Sequence, residues 1–72
     1  MDRASALELL RRAQEHADSE AEHIKTQEET VQRLASKGYD TSAAAKLLAV
    51  MRATLVSYEH HCEALQRILS TM

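Results

Sequence analysis

Four side chains in the sequence have the chemistry of a metal site. His16 and Glu20 are four residues apart, so a helix places them on one face. His61 and Cys62 are adjacent in the second half of the chain. Imidazole, carboxylate and thiolate groups are ligands that suit a zinc-like ion, and helical bundles commonly hold metals between facing helices. The four side chains could therefore bind a metal if an antiparallel fold brought them together.

The elements that would position these residues are two facing helices. With position 34 opposite position 44, the facing positions of an antiparallel pair place His16 near Cys62 and Ala17 near His61. The same register places Glu20 near Tyr58. The four candidates would then meet midway along the pair, which is the expectation that a structure can test.

A simpler interpretation of the same residues is a polar layer. Their spacing matches no metal signature, and His61 can hydrogen-bond Glu20 at the edge of a core. A free Cys is usually a small buried hydrophobe, and nucleophilic catalysis by Cys62 would also need an activating base and a pocket. We favour the polar layer, expect no cofactor, metal or catalytic residue, and keep His16, Glu20, His61 and Cys62 as metal candidates.

The second half of the chain has the most regular apolar pattern. Spacings of four and three residues alternate, which places the side chains on one stripe of a helix. This stripe comprises Ala44, Leu48, Met51, Leu55, Tyr58, Cys62, Leu65, Leu69 and Met72. A seven-residue repeat widens it along one flank, through Leu47, Thr54, His61 and Ile68.

The first half predicts a second amphipathic helix. Ser5 and Glu8 have the spacing of a capping box, which predicts a helix start near residue 5. The apolar face comprises Leu7, Leu10, Ala13, Ala17, Ala21, Ile24, Val31 and Leu34. Ser19 and Glu22 repeat the capping spacing, so a break near Asp18 is conceivable. Because neither Gly nor Pro is nearby, we favour one continuous helix.

The turn between the helices is specified by the only glycine. Gly38 fits the left-handed residue that ends a helix, and Tyr39 would then pack back on Leu34. Asp40 or Thr41 follows as the N-cap of the next helix. So short a connection makes the two helices antiparallel neighbours.

Composition supports this all-α fold. The chain has 72 residues, no Pro, one Gly and 44% hydrophobic residues, most of them Ala and Leu, which are strong helix formers. We predict one domain over residues 1–72: a helix over about 4–37, a turn at 38–40 and a helix over about 41–71. The fold class is an antiparallel two-helix hairpin.

The apolar stripe of the second helix is wider than the first helix can cover. Glu20 and Gln27 stand where apolar residues would complete the first helix's face. We therefore predict a homodimer of hairpins, which forms a four-helix bundle. Its interface residues would be Leu47, Leu48, Met51, Leu55, Tyr58, Cys62, Leu65 and Leu69.

Charge and composition disfavour several classes of partner. The net charge is −2, and neither half has the basic face of a nucleic-acid-binding segment. No run of about 18 apolar residues could cross a membrane. Met1 is followed by Asp2 and not by an apolar signal region, and one Cys excludes an intrachain disulfide. The expected location is the cytoplasm.

The segment 20–48, EAEHIKTQEETVQRLASKGYDTSAAAKLL, resembles a group of short bacterial helical-hairpin proteins of uncharacterised function. The similarity is carried by His23-Ile24, Gln27, Val31, Leu34, the turn Gly38-Tyr39-Asp40-Thr41, Ala44 or Ala45, and Leu47-Leu48, and extends more loosely through Thr54-Leu55 and His60-His61. The resemblance implies the hairpin and brings no activity, substrate or cofactor. The architecture is also similar to the RNA-binding Rop-type hairpin, without a residue-level match.

These observations favour a non-enzymatic protein that acts through self-association and protein–protein interaction. One alternative is a Rop-like RNA-binding hairpin, which would need its basic residues, Arg11, Arg12, Lys25 and Arg33, to line one face. Those four do not share one heptad position, and acidic residues lie between them. The other alternative is the metal-binding bundle.

Overall fold

The computed structural model describes all 72 residues and contains two α-helices. Helix α1 spans Arg3–Ser36 and helix α2 spans Ser42–Ser70, with no strand. The helices pack side by side in a rod of 54 × 14 × 13 Å. The predicted all-α hairpin is confirmed, and α1 continues through Asp18 without a break.

The first helix begins earlier than the capping box predicted. Its N-cap is Asp2, whose Oδ1 accepts a hydrogen bond of 2.7 Å from the backbone N–H of Ser5. An N-cap side chain satisfies one of the free N–H groups of the first turn in this way. The bond lowers the pKa of Asp2, because it favours the carboxylate form. Asp2 and not Ser5 is therefore the N-cap, and the helix starts at Arg3, two residues before the predicted start near residue 5.

The end of α1 is a left-handed turn built on Gly38, which has a φ of +77°. The N–H of Tyr39 donates to the carbonyl of Leu34 at 3.0 Å, and the N–H of Gly38 donates to that of Ala35 at 3.0 Å. These two bonds define a Schellman motif. The side chain of Tyr39 is 63% exposed, so the backbone bonds and not a buried Tyr39 ring hold this turn together.

Asp40 prepares the start of α2. Its Oδ1 accepts hydrogen bonds from the backbone N–H of Ser42 at 2.9 Å and from the Ser42 hydroxyl at 2.7 Å. These bonds lower the pKa of Asp40. Thr41 directly precedes the helix, but its side chain makes no capping bond. Of the two predicted caps, the side chain of Asp40 performs the role.

The two helices meet along one narrow line of side chains, which we call the seam. Every seam residue is buried or half-buried. On α1 the seam is Ala6, Leu10, Ala13, Ala17, Glu20, Ile24, Gln27, Val31 and Leu34; on α2 it is Ala44, Leu48, Met51, Leu55, Tyr58, Cys62, Leu65 and Leu69. Only five residues of the chain are buried, and all belong to the seam: Ala6, Ala13, Ile24, Leu48 and Leu65.

Two details of the seam differ from the predicted face of α1. Ala6 is completely buried, whereas Leu7 is 47% exposed and Ala21 is exposed. Ala6 lies seven residues before Ala13, so it continues the seam by helical periodicity, and Leu7 lies beside the seam. Gln27 is accommodated because its Nε2 donates to the backbone carbonyl of Ala44 at 3.0 Å. A polar residue in the seam thus links the helices near the turn.

Replacing Gly38 tests the turn. A Cβ at this position would meet no atom within 4 Å, so substitution brings backbone strain but no clash. We expect Gly38→Val to lower the free energy of unfolding by about 1 kcal/mol or more, because β-branched residues avoid the left-handed region. Gly38→Asn is the control, since Asn tolerates this conformation better. Urea unfolding measures both, and equal stability of the Val variant and the parent would contradict the assignment.

Candidate functional site

The metal candidates occupy two different environments. Glu20 and Cys62 are half-buried in the seam, whereas His16 and His61 are exposed beside it. No group of three or more His, Cys, Asp or Glu side chains is arranged so that it could hold a metal ion. The hairpin therefore does not assemble the four candidates into a site.

His16 packs against an aromatic ring of α2. Its ring centroid lies 5.6 Å from that of Tyr58, with the planes tilted by 52°. The sequence placed Cys62 opposite His16 and Tyr58 opposite Glu20, so this contact lies one turn nearer the loop than expected. A tilted pair at this separation is a favourable aromatic geometry.

The predicted polar layer is also not formed. None of the four ion pairs involves Glu20 or a histidine; each joins an arginine to a glutamate. His61 lies one residue before the seam position of Cys62 and remains exposed. Glu20 is instead a half-buried carboxylate among seam residues.

The residues predicted to form an interface are used mostly inside the hairpin. Leu48 and Leu65 are buried against α1. Five others are only half-buried, namely Met51, Leu55, Tyr58, Cys62 and Leu69. Leu47 is 51% exposed, because it lies on the flank of the seam. The single chain thus leaves much of the predicted apolar stripe in contact with solvent.

The seam divides the hairpin into two sides with different chemistry. The residues that immediately precede each seam residue in the sequence form one side of the hairpin. We call it the histidine side. Its residues are Ser5, Leu9, Arg12, His16, Ser19, His23, Thr26, Thr30 and Arg33 on α1, and Ala43, Leu47, Val50, Thr54, Ser57, His61, Ala64 and Ile68 on α2. This side has no Asp or Glu and only two permanent charges, both arginines.

The residues one position after the seam residues form the charged side. Seven of them carry a permanent charge: Arg11, Asp18, Lys25, Glu28, Arg52, Glu59 and Glu63. The only ion pair between the helices lies here, with Arg52 Nη2 at 3.2 Å from Glu28 Oε2. This contact shows that residues after the seam on both helices share one side, as antiparallel packing requires. This division is not predicted above, although the residue types on the two flanks of the apolar stripes, compared with each other, carry it.

The basic residues required for an RNA-binding face are split between the two sides. Arg11 and Lys25 lie on the charged side, and Arg12 and Arg33 lie on the histidine side. Both Arg11 and Arg12 bind the carboxylate of Glu8, which lowers the pKa of Glu8 to about 2. These arginines are therefore already engaged with acidic neighbours.

Neither helix has a segment long and apolar enough to cross a membrane. The surface has no pocket. Comparison with protein-family models, with curated proteins and with solved structures gives no match to this chain.

Elemental analysis tests the metal hypothesis. Because the hairpin leaves His16 and His61 exposed and brings no three candidate ligands together, we expect untagged protein to contain no stoichiometric zinc, nickel or copper. The matched variants are His61→Ala and Cys62→Ala, with His60→Ala as the control. One equivalent of metal in the parent, lost in the first two variants and kept in the third, would establish a metal-binding bundle instead.

Proposed function

We propose that this chain is a non-enzymatic helical protein that acts through self-association into a homodimer and through contact with a protein partner. The second hairpin would convert the two-helix rod into a four-helix bundle. The observation that carries the proposal is the large apolar surface that one hairpin leaves uncovered.

Large apolar side chains are more often exposed than buried in this hairpin. No large side chain is completely buried, while nine large apolar residues are exposed. Six of these lie within the helices: Leu7, Leu9, Leu47, Val50, Val56 and Ile68. Monomeric proteins rarely tolerate extended apolar patches, and such patches usually mark contact surfaces.

The total surface is also large for the mass. The chain exposes 5200 Å². A compact monomer of 8.1 kDa would expose about 4,500 Å². Removing apolar surface from water contributes about 25 cal/mol per Å². A second hairpin that covered the excess would therefore stabilise a fold that has only one narrow seam.

The half-buried seam residues favour a bundle over an end-to-end contact. Met51, Leu55 and Tyr58 follow one another along the middle of α2 and are each partly open to solvent. In a four-helix bundle such positions point towards the central axis and are covered by two further helices. Side-by-side pairing of two hairpins would thus bury the seam residues that one hairpin leaves partly open to solvent.

We expect the melting temperature to rise with protein concentration, because association stabilises the folded state by mass action. Sedimentation equilibrium and thermal unfolding monitored by circular dichroism measure this together. A folded species of 8.1 kDa, whose melting temperature is the same over roughly a hundredfold range of concentration, would overturn the homodimer.

Leu55→Asp tests the seam as the shared core of the bundle. An unpaired carboxylate at this position would cost several kcal/mol once it is covered, so we expect dissociation and loss of most helical signal. Val56→Asp is the matched control, because Val56 is already 47% exposed and lies on the charged side. If both variants retain the dimer and its melting temperature, the seam is not the shared core.

A further inference from the structure

The two sides of the hairpin differ enough to identify the one that receives the second copy. We propose that two copies dock through their histidine sides, and that protonation of the three histidines there weakens the dimer. This inference rests on the proposed homodimer and adds the surface and its regulation.

Charge is the first reason for choosing the histidine side. Its two permanent charges, Arg12 and Arg33, lie towards its two ends, and its middle is neutral when the imidazoles are neutral. Burying an ionised group without a partner is costly, whereas the seven charges of the other side are spread along its length. A neutral surface is also compatible with a second copy of itself, as a twofold-symmetric contact requires.

Apolar exposure is the second reason. Four of the six exposed large apolar residues of the helices lie on the histidine side: Leu9, Leu47, Val50 and Ile68. A side 54 Å long and 14 Å wide presents roughly 750 Å², close to the area that each partner buries in a stable complex. The histidine side therefore has the size and the apolar character of an interface.

Three of the six hydroxyl groups of this side already donate hydrogen bonds within their own helix. The hydroxyl of Thr30 donates to the carbonyl of Thr26 at 3.0 Å, and that of Thr54 donates to the carbonyl of Val50 at 3.0 Å. The Ser57 hydroxyl likewise bonds its own helix. Covering these three hydroxyls with a partner leaves their donors paired, which lowers the penalty of burying them.

The imidazoles of His16, His23 and His61 are the groups on this side whose charge changes when the pH falls. His16 contacts Tyr58, so His61 lies about one turn further from the loop on α2, and His23 lies two turns nearer the loop on α1. On α2, His16 contacts the ring of Tyr58, and the titratable residues of the seam and the histidine side in the next turn are His61 and Cys62; none of the three is a carboxylate.

The other charged neighbours do not neutralise three protonated imidazoles. On α1, the seam carboxylate of Glu20 lies between His16 and His23, and Arg12 adds a positive charge one turn before His16. The histidine-side residues of α2 between the loop and His61, which are Ala43, Leu47, Val50, Thr54 and Ser57, carry no charge. His61 is followed on its own helix by Glu63, which lies on the charged side. One seam carboxylate per chain thus leaves an excess of positive charge on this side in acid.

The direction of the pH effect follows from linkage. Burial in the dimer favours neutral imidazole, so the histidine pKa is lower in the dimer than in the monomer. The dimer is therefore strongest above the monomer pKa and weakens as the pH falls. An imidazole with the model-peptide pKa of about 6.5 that is buried neutral on association raises the dissociation constant about tenfold from pH 7.5 to pH 5.5. One such position occurs in both copies and so raises the constant about a hundredfold, and each further buried histidine position adds to this.

Sedimentation of the full chain at these two pH values is the experiment. We expect the dimer dissociation constant to rise by about a hundredfold or more at the lower pH. The combined variant His16→Gln, His23→Gln, His61→Gln should lose this dependence, while His60→Gln, on the outer surface of α2, should keep it. The Glu8 ion pairs do not interfere, because the pKa of Glu8 is about 2.

A matched pair of lysine variants locates the surface independently of pH. Leu47 and Val56 are 51% and 47% exposed and lie on opposite sides of α2. We expect Leu47→Lys to dissociate the dimer at neutral pH and Val56→Lys to leave it intact. The reverse result would place the interface on the charged side and overturn the inference.

The outcomes separate the two proposals. A dimer whose dissociation constant is the same at both pH values overturns the role of the histidine side and leaves the homodimer standing. A monomer at every concentration overturns both. If the combined histidine variant does not fold, NMR titration of the parent decides: imidazole pKa values in the dimer no lower than that of His60 overturn the inference.

Discussion

The left-handed backbone at Gly38 is the constraint on which the rest of the hairpin depends. It reverses the chain within a few residues, so α2 must return along α1 with a fixed register. That register places Gln27 against the carbonyl of Ala44 and Glu28 beside Arg52. Because the return is antiparallel, residues that precede the seam on both helices share one side, and residues that follow it share the other. The difference between the histidine side and the charged side thus originates in one turn.

The seam itself combines small and large side chains. Ala6 and Ala13 are buried near the open end of α1, and Leu65 is buried on α2. Small residues on one helix let the larger residues of its neighbour approach closely, which produces a tight but narrow contact. Such a contact holds two helices in register without covering their flanks. The uncovered flanks are therefore a consequence of how the seam is built, and they are what the proposed dimer explains.

The sequence predicted the hairpin because its strongest signals are local. Periodicity defines the helices, and Gly38 is required where the backbone is left-handed. The start of α1 was misplaced because Asp2 and Ser5 have the same spacing as Ser5 and Glu8, and only the structure shows which side chain accepts the bond. The four metal candidates did not converge because facing positions are predictable only to about one turn. A helical turn rises 5.4 Å, and His16 contacts the ring of Tyr58, one turn from the Cys62 position that the sequence placed opposite it.

Having one neutral side has a consequence for how large an assembly can grow. A rod with adhesive surfaces on both sides would add copies without limit and form sheets or filaments. Here the seven charges of the opposite side would face outward from a pair joined through the neutral sides, and each copy would have used its more apolar flank. Such an assembly would close at two, because the row of charges beside the seam, with Arg52 and Glu28 already paired, would oppose further growth.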